Sequence, residues 1–177
     1  MKMDFNAPDK FIEFKLGWYR GVDFDLEAAS LLESFDDAEK ENDIQKYIKE
    51  NKKWFIPASL FEDYDFGHHE AYIVPEQGLG AEYRVDYMLL GRNSIGYNIV
   101  LVEFEDVNVD YKIQSANTES ESVRKGLGQI RDWKRWIDRM DCNANQMRRQ
   151  SEHESLGLHI VSYDRLVDNV KRLHNGF

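Results

Sequence analysis

Four carboxylates stand where elementary folding rules would draw acids together away from water: Glu41, Asp86, Glu103 and Glu105. The stretch "NIVLVEFEDV", residues 98–107, is otherwise the apolar run of a strand buried within a sheet. Residues two apart on a strand share a face, so Glu103 and Glu105 side with Ile99 and Leu101, while Val100, Val102 and Phe104 face the other way. Taking an ionised carboxylate out of water is expensive, and such a pair meets cations, hydrogen-bond donors or a metal ion. The preceding run "EYRVDYMLLG" reads as a neighbouring strand. If Gly91 pairs with Asn98, then Leu90 meets Ile99, Met88 meets Leu101 and Asp86 falls opposite Glu103. The apolar positions match in that register, which gathers Asp86, Glu103 and Glu105.

The elements that must hold these acids follow from periodicity. A helix is expected over "DDAEKENDIQKYIKENKKWF", where Ile44, Tyr47 and Ile48 recur at helical spacing and Glu41 lies on the same side. An acid there either serves a site or complements the positive end of the helix dipole. "EAYIVPE" and "EYRVDYMLLG" are strands parted by the turn-rich "QGLG". "NVDYKIQSANTES" reads as a loop. "ESVRKGLGQIRDWKRWIDRM" is a helix with an apolar stripe of Val123, Leu127, Ile130, Ile137 and Met140, and Gln129 and Trp133 stand one turn apart beside it. Gly126 and Gly128 cost such a helix about 1 kcal/mol each relative to Ala, and mark its start or a close approach to another backbone. "LGLHIVSYDRLVDNVKRL" adds a strand and a last helix. The order is helix, three strands, helix, strand, helix, an α/β sandwich about a mixed sheet. Residues 1–34 are rich in aromatics, and "LGWYRGVDFDL" reads as a hairpin turning at Gly17 or Gly21. Residues 35–177 are expected to form the main domain.

Composition narrows the classes. A chain of 177 residues with 42% hydrophobic and 32% charged residues is an ordinary globular one. No apolar run approaches the roughly 20 residues that cross a bilayer. "MKMDFNAPDKFIEF" has charges where a signal peptide has its apolar centre, so no membrane partner and a cytoplasmic place are expected. The lone Cys142 excludes an internal disulfide and a cysteine-rich zinc site. "HHE" at His68, His69 and Glu70 lacks the helical HExxH spacing of a zinc site. The net charge of −10 argues against indiscriminate nucleic-acid binding, yet it is segregated. Between Val123 and Arg149, eight bases face three acids, a net of +5 against −15 elsewhere. Such a face contacts phosphate or is simply solvated.

The order of these motifs resembles the PD-(D/E)xK nuclease fold: an acid on a leading helix, an Asp on one strand, an acid pair on the next, then a helix bearing Gln and an aromatic. More narrowly, "ENDIQKYIKENKKWF", "YRVDYMLL", "IVLVEFED", "GLGQIRDWKRWI" and "IVSYDRL" resemble the nuclease domain of the Shedu family of bacterial anti-phage defence proteins, from about residue 38 to 170. The resemblance implies a restriction-endonuclease-like core with a mixed central sheet flanked by helices. It also implies a metal-dependent DNA endonuclease using Mg²⁺ or Mn²⁺, and a homo-oligomer. Carried over by position, Glu41 matches the helix acid, Asp86 the strand Asp and Glu103 the first acid of "ExK". Gln129 and Trp133 match a "QxxxY"-like motif with Trp in place of Tyr. The implied catalytic set is Glu41, Asp86, Glu103, Glu105 and Gln129, with Asp86, Glu103 and Glu105 on the metal. Arg124, Lys125, Arg131, Trp133, Lys134 and Arg135 would meet DNA.

One position departs from the pattern. Where the family has Lys, this chain has Glu105. Phosphodiester cleavage needs a positioned water, charge relief on the phosphate and stabilisation of the leaving oxygen, which a divalent ion held openly by two or three oxygens supplies. A Lys would orient or deprotonate the water. Glu105 accepts a proton or binds a second cation, as in "ExE" variants of the fold; Lys112 or Lys125 would have to bring an ammonium from elsewhere. The alternative is a degenerate nuclease fold that binds nucleic acid or a protein without cutting. With several acids in one pocket, at least one carboxyl should hold its proton to higher pH than usual.

Overall fold

The computed structural model describes residues 10–38, 40–64, 69–94, 96–104, 112–113, 118–119, 121–144, 155–160 and 163–173. In chain order the elements are β1 (Ile12–Glu13), a 3₁₀ turn (Leu16–Tyr19), α1 (Phe24–Asp37), α2 (Glu41–Glu50), and α3 (Phe55–Ala58) running into a second 3₁₀ turn (Ser59–Asp63). There follow β2 (Glu70–Leu79), β3 (Tyr83–Arg92), β4 (Tyr97–Glu103), the short pair β5 (Lys112–Ile113) and β6 (Thr118–Glu119), α4 (Glu121–Ala144), β7 (Ser155–Ile160) and α5 (Tyr163–Arg172). The main sheet has the order β1-β2-β3-β4-β7. Its first four strands are antiparallel, and β7 joins β4 in parallel. A mixed sheet with helices on both faces is the architecture expected from the sequence.

The expected register holds residue for residue: Gly91 pairs with Asn98, Leu90 with Ile99 and Met88 with Leu101. It holds because a slip by one residue would turn Val100 and Val102, both wholly buried, toward the wrong layer. One layer of core lies between the sheet and α1, α2, α3 and α5, with Leu31, Ile44, Ile48, Ile56, Leu89, Val100, Val102, Phe104 and Leu166 packed together. On the other face Leu79, Val85, Leu101 and Trp133 form a smaller core under α4, joined by Met88, Ile99, Ile130, Trp136 and Ile137.

Several expectations change. "LGWYRGVDFDL" is not a hairpin: the chain makes a 3₁₀ turn, passes Gly21 at φ +88° and enters α1. Asp23 caps that helix, its Oδ1 accepting from the Asp25 and Leu26 amides at 3.1 Å each. Phe24, Ala28, Leu31 and Phe35 of α1 then fall on one stripe and share the core of the residues beyond 34. The helix expected over residues 36–55 is two, because α1 ends at Asp37 and α2 restarts at Glu41, the Lys40 amide donating to Asp43 Oδ2 at 3.0 Å. "QGLG" is mostly strand, and the chain turns at Gly80–Glu82. The stretch read as a loop after β4 carries β5 and β6. Gly126 and Gly128 lie within α4 rather than at its start, and nothing comes within 4 Å of where a Cβ on Gly128 would sit.

The sheet also exchanges faces partway along β2 and β3. Ile73, Tyr87 and Leu89 pack toward α1 and α5, whereas Leu79 and Val85, of the same odd parity on the same strands, pack under α4. The exchange falls between the pairs Pro75–Tyr87 and Gln77–Val85, at Glu76 and Asp86. There the Glu76 backbone takes φ +50°, outside the extended conformation of a regular strand.

Candidate functional site

Asp86 occupies that exchange. Its Oδ1 accepts from the Gln45 side-chain amide of α2 at 2.8 Å, and its Oδ2 accepts from the Phe104 backbone N–H at 2.7 Å. The Phe104 amide, just past the end of β4, is thus spent on a side chain, and the ladder between β3 and β4 stops at Tyr87–Val102. Burial raises the Asp86 carboxyl above its ordinary range; the Phe104 and Gln45 hydrogen bonds oppose the rise and the charge of Glu76 adds to it. Among the described residues no cation pairs with Asp86. The rise matches the sequence expectation in direction, though burial is its larger cause and Glu76 was not foreseen as a neighbour.

Glu103 continues the register one step past the last bridged pair, opposite Asp86, and is 7% exposed. Val102 and Phe104 on either side of it pack toward α1 and α5, so Glu103 leaves β4 on the side of Leu101 and α4. The Asp86 carboxylate itself meets the Gln45 amide of α2. The two residues flank the end of the β3–β4 ladder. Glu105 and the side chain of Glu41 lie outside the described residues; the Glu41 position opens α2, one turn before Gln45. Among the described residues no three His, Cys, Asp or Glu side chains gather as a metal cage.

On α4, Arg124, Lys125, Arg131, Lys134 and Arg135 are exposed. Two of them are braced along the helix, Arg131 Nε donating to the Leu127 carbonyl at 3.1 Å and Arg135 pairing with Asp132 at 3.2 Å. Gln129 is half-buried beside them. Trp133, expected on a DNA-contacting face, is instead 1% exposed and belongs to the core between α4 and the sheet. An apolar ring of that size serves best where it excludes water, and no face of it is left for a base. Next to it, Trp136 lies so close to Gly80 that a Cβ there would stand 2.9 Å from the ring, and Gly80 takes φ +63°. A glycine is required at that turn on both counts.

Glu70, of the "HHE" stretch, is occupied structurally: Arg92 pairs with it at 2.9 Å and the Tyr97 hydroxyl donates to it at 3.3 Å. His68, the pair His153–Glu154 and the Lys112 side chain lie outside the described residues. Two residues bearing on the site escaped the sequence reading. Gln45 had a signal, its place one turn after Glu41 on α2; Glu76 had none, since a left-handed backbone at a Glu within a strand is not legible in residue type.

No helix among the described residues is long and apolar enough to cross a membrane. No curated protein and no solved structure matches the chain. A family model does match, over residues 38–167, from the leading helix through the acid-bearing strands and α4 to α5; its description is Shedu protein SduA, C-terminal, and the chain belongs to that family.

Proposed function

We propose that this protein is a metal-dependent DNA endonuclease of Shedu-type anti-phage defence, built on a PD-(D/E)xK-like core, with its site at the ends of β3 and β4. Family membership supports the defence role. The observation that carries the chemistry is the state of Asp86: a buried carboxylate oriented by two neutral donors, with no cation beside it among the described residues. A carboxylate so placed gains most from a divalent ion. The donor set is all oxygen, which suits Mg²⁺ or Mn²⁺. Asp86 and Glu103 would hold the ion, with Glu105 and Glu41 as the further acids, and Gln129 near the substrate. The ion supplies charge relief on a phosphodiester and lowers the pKa of a bound water. The chain's own part is to orient Asp86 through Gln45 and Phe104, to present Glu103 at the adjoining strand end, and to offer Arg124, Lys125, Arg131, Lys134 and Arg135 of α4 to the phosphate backbone.

A second reading is a relative that binds without cutting. Glu105 in place of Lys favours it. Incubation of the protein with supercoiled, linear and single-stranded DNA and Mn²⁺, beside Glu103→Ala, separates the two. Cleavage by the wild type alone supports the enzyme. Identical intact substrates for both proteins, with salt-sensitive binding retained, establish the non-cutting relative.

A further inference from the structure

The bond between Gln45 and Asp86 joins a helix to a strand 41 residues away in sequence, and its chemistry is selective. A primary amide offers a donor without a charge. It therefore fixes the direction of the Asp86 carboxylate and leaves its negative charge uncompensated, whereas a Lys at the same place would neutralise it and compete with a cation. Each carboxylate oxygen accepts two hydrogen bonds. With one donor from Gln45 on Oδ1 and one from the Phe104 N–H on Oδ2, each keeps an acceptor position. The group is oriented and not saturated.

Gln45 is also held firmly. Ile44 and Ile48, beside it on α2, are wholly buried, so the helix backbone that carries the amide is anchored in the larger core. The same helix opens at Glu41, one turn before Gln45. A single rigid element thereby sets the orientation of the strand acid and the position of the helix acid.

We infer that Gln45 is a positioning residue of the site, acting through Asp86 to aim its carboxylate at a divalent cation. The inference rests on the metal-site reading above and extends it to a residue outside the acid motif. Partners of this kind, one step behind the ligand, change metal affinity by about 10- to 100-fold when removed.

Gln45→Met keeps the length and bulk of the side chain and deletes the donor. Mn²⁺ affinity by calorimetry should fall about tenfold. In the metal-free protein, the Phe104 amide should exchange faster and shift in a proton–nitrogen correlation spectrum, because the acceptor of its bond is no longer held. Gln45→Lys restores a donor with a charge: the Phe104 amide should stay protected while Mn²⁺ binding weakens further. An unchanged Phe104 amide and unchanged Mn²⁺ affinity in folded Gln45→Met would overturn the inference. Should the wild type itself bind no Mn²⁺, the metal-site reading falls separately, and the Phe104 amide in Gln45→Met still decides whether Gln45 holds Asp86.

Discussion

Glu76 stands opposite Asp86 across β2 and β3, between the paired residues Pro75–Tyr87 and Gln77–Val85, and the sheet exchanges its two faces at that point. The Glu76 backbone is left-handed there, at φ +50°, and the Asp86 carboxylate across from it meets the Gln45 amide. A non-glycine residue in that conformation stores about 1–3 kcal/mol, and such strain collects at functional sites. Glu76→Val, which places a branched carbon in the same conformation, should lower the unfolding free energy by about 1–2 kcal/mol in urea melts, while Glu76→Gly raises it. Equal stability of the three proteins would show that the turn at Glu76 is unstrained.

Divalent metal should stabilise the wild type. A ligand at 100 times its dissociation constant adds about 2.7 kcal/mol, several degrees in melting temperature for a chain of this size. Scanning calorimetry with millimolar Mn²⁺ or Mg²⁺ should show that rise, and Asp86→Ala should abolish it. A rise that survives in Asp86→Ala would place the ion elsewhere.

Two glycines should respond with opposite signs. Gly80→Ala drives a methyl to 2.9 Å from the Trp136 ring at φ +63° and is expected to cost about 1–3 kcal/mol. Gly128→Ala meets nothing within 4 Å inside α4 and should add about 1 kcal/mol. Chemical denaturation of both variants checks the pair.

The basic face of α4 makes a claim about salt. Replacing Arg131, Lys134 and Arg135 together by Ala should weaken DNA binding and reduce the slope of log affinity against log salt by about 3, since each phosphate contact contributes roughly 0.9. All three are exposed, so the melting temperature should move by less than about 2 °C. An unaltered slope in fluorescence anisotropy would remove α4 from the interface.

On the opposite side of the molecule, burial lifts the Glu62 carboxyl above its ordinary value, Arg172 opposing and Asp63 adding to the rise. The folded protein then holds this proton more tightly than the unfolded chain. Its contribution to stability is complete below the ordinary carboxyl value of about 4.5 and is lost as pH rises through the folded value. Glu62→Gln should accordingly raise the melting temperature at neutral pH by about 1–3 °C, with the gain disappearing by about pH 4. A gain independent of pH would assign the effect to packing.

Much of the scaffold was legible because it depends on local alternation and helical period. The pairing of β3 with β4, the buried stripe of Ile44 and Ile48, the long α4 and the existence of β7 all follow from where apolar residues recur. Trp133 was harder, since an indole on a basic helix suits a base or a core equally well until the opposing layer is known. The amino-terminal hairpin was misread for a related reason: Phe14 and Phe24 have meaning only against Phe61 and Phe55 farther along the chain.

By itself, then, the sequence determined α2, the three central strands, α4, β7 and α5, the register of β3 on β4, and the concentration of positive charge on one helix, because each is written in spacing along the chain. Tertiary structure decided the rest. Which way the Asp86 carboxylate points is set by an amide from a helix 41 residues earlier and by the Phe104 backbone N–H, and the energies of such contacts leave no period in the sequence.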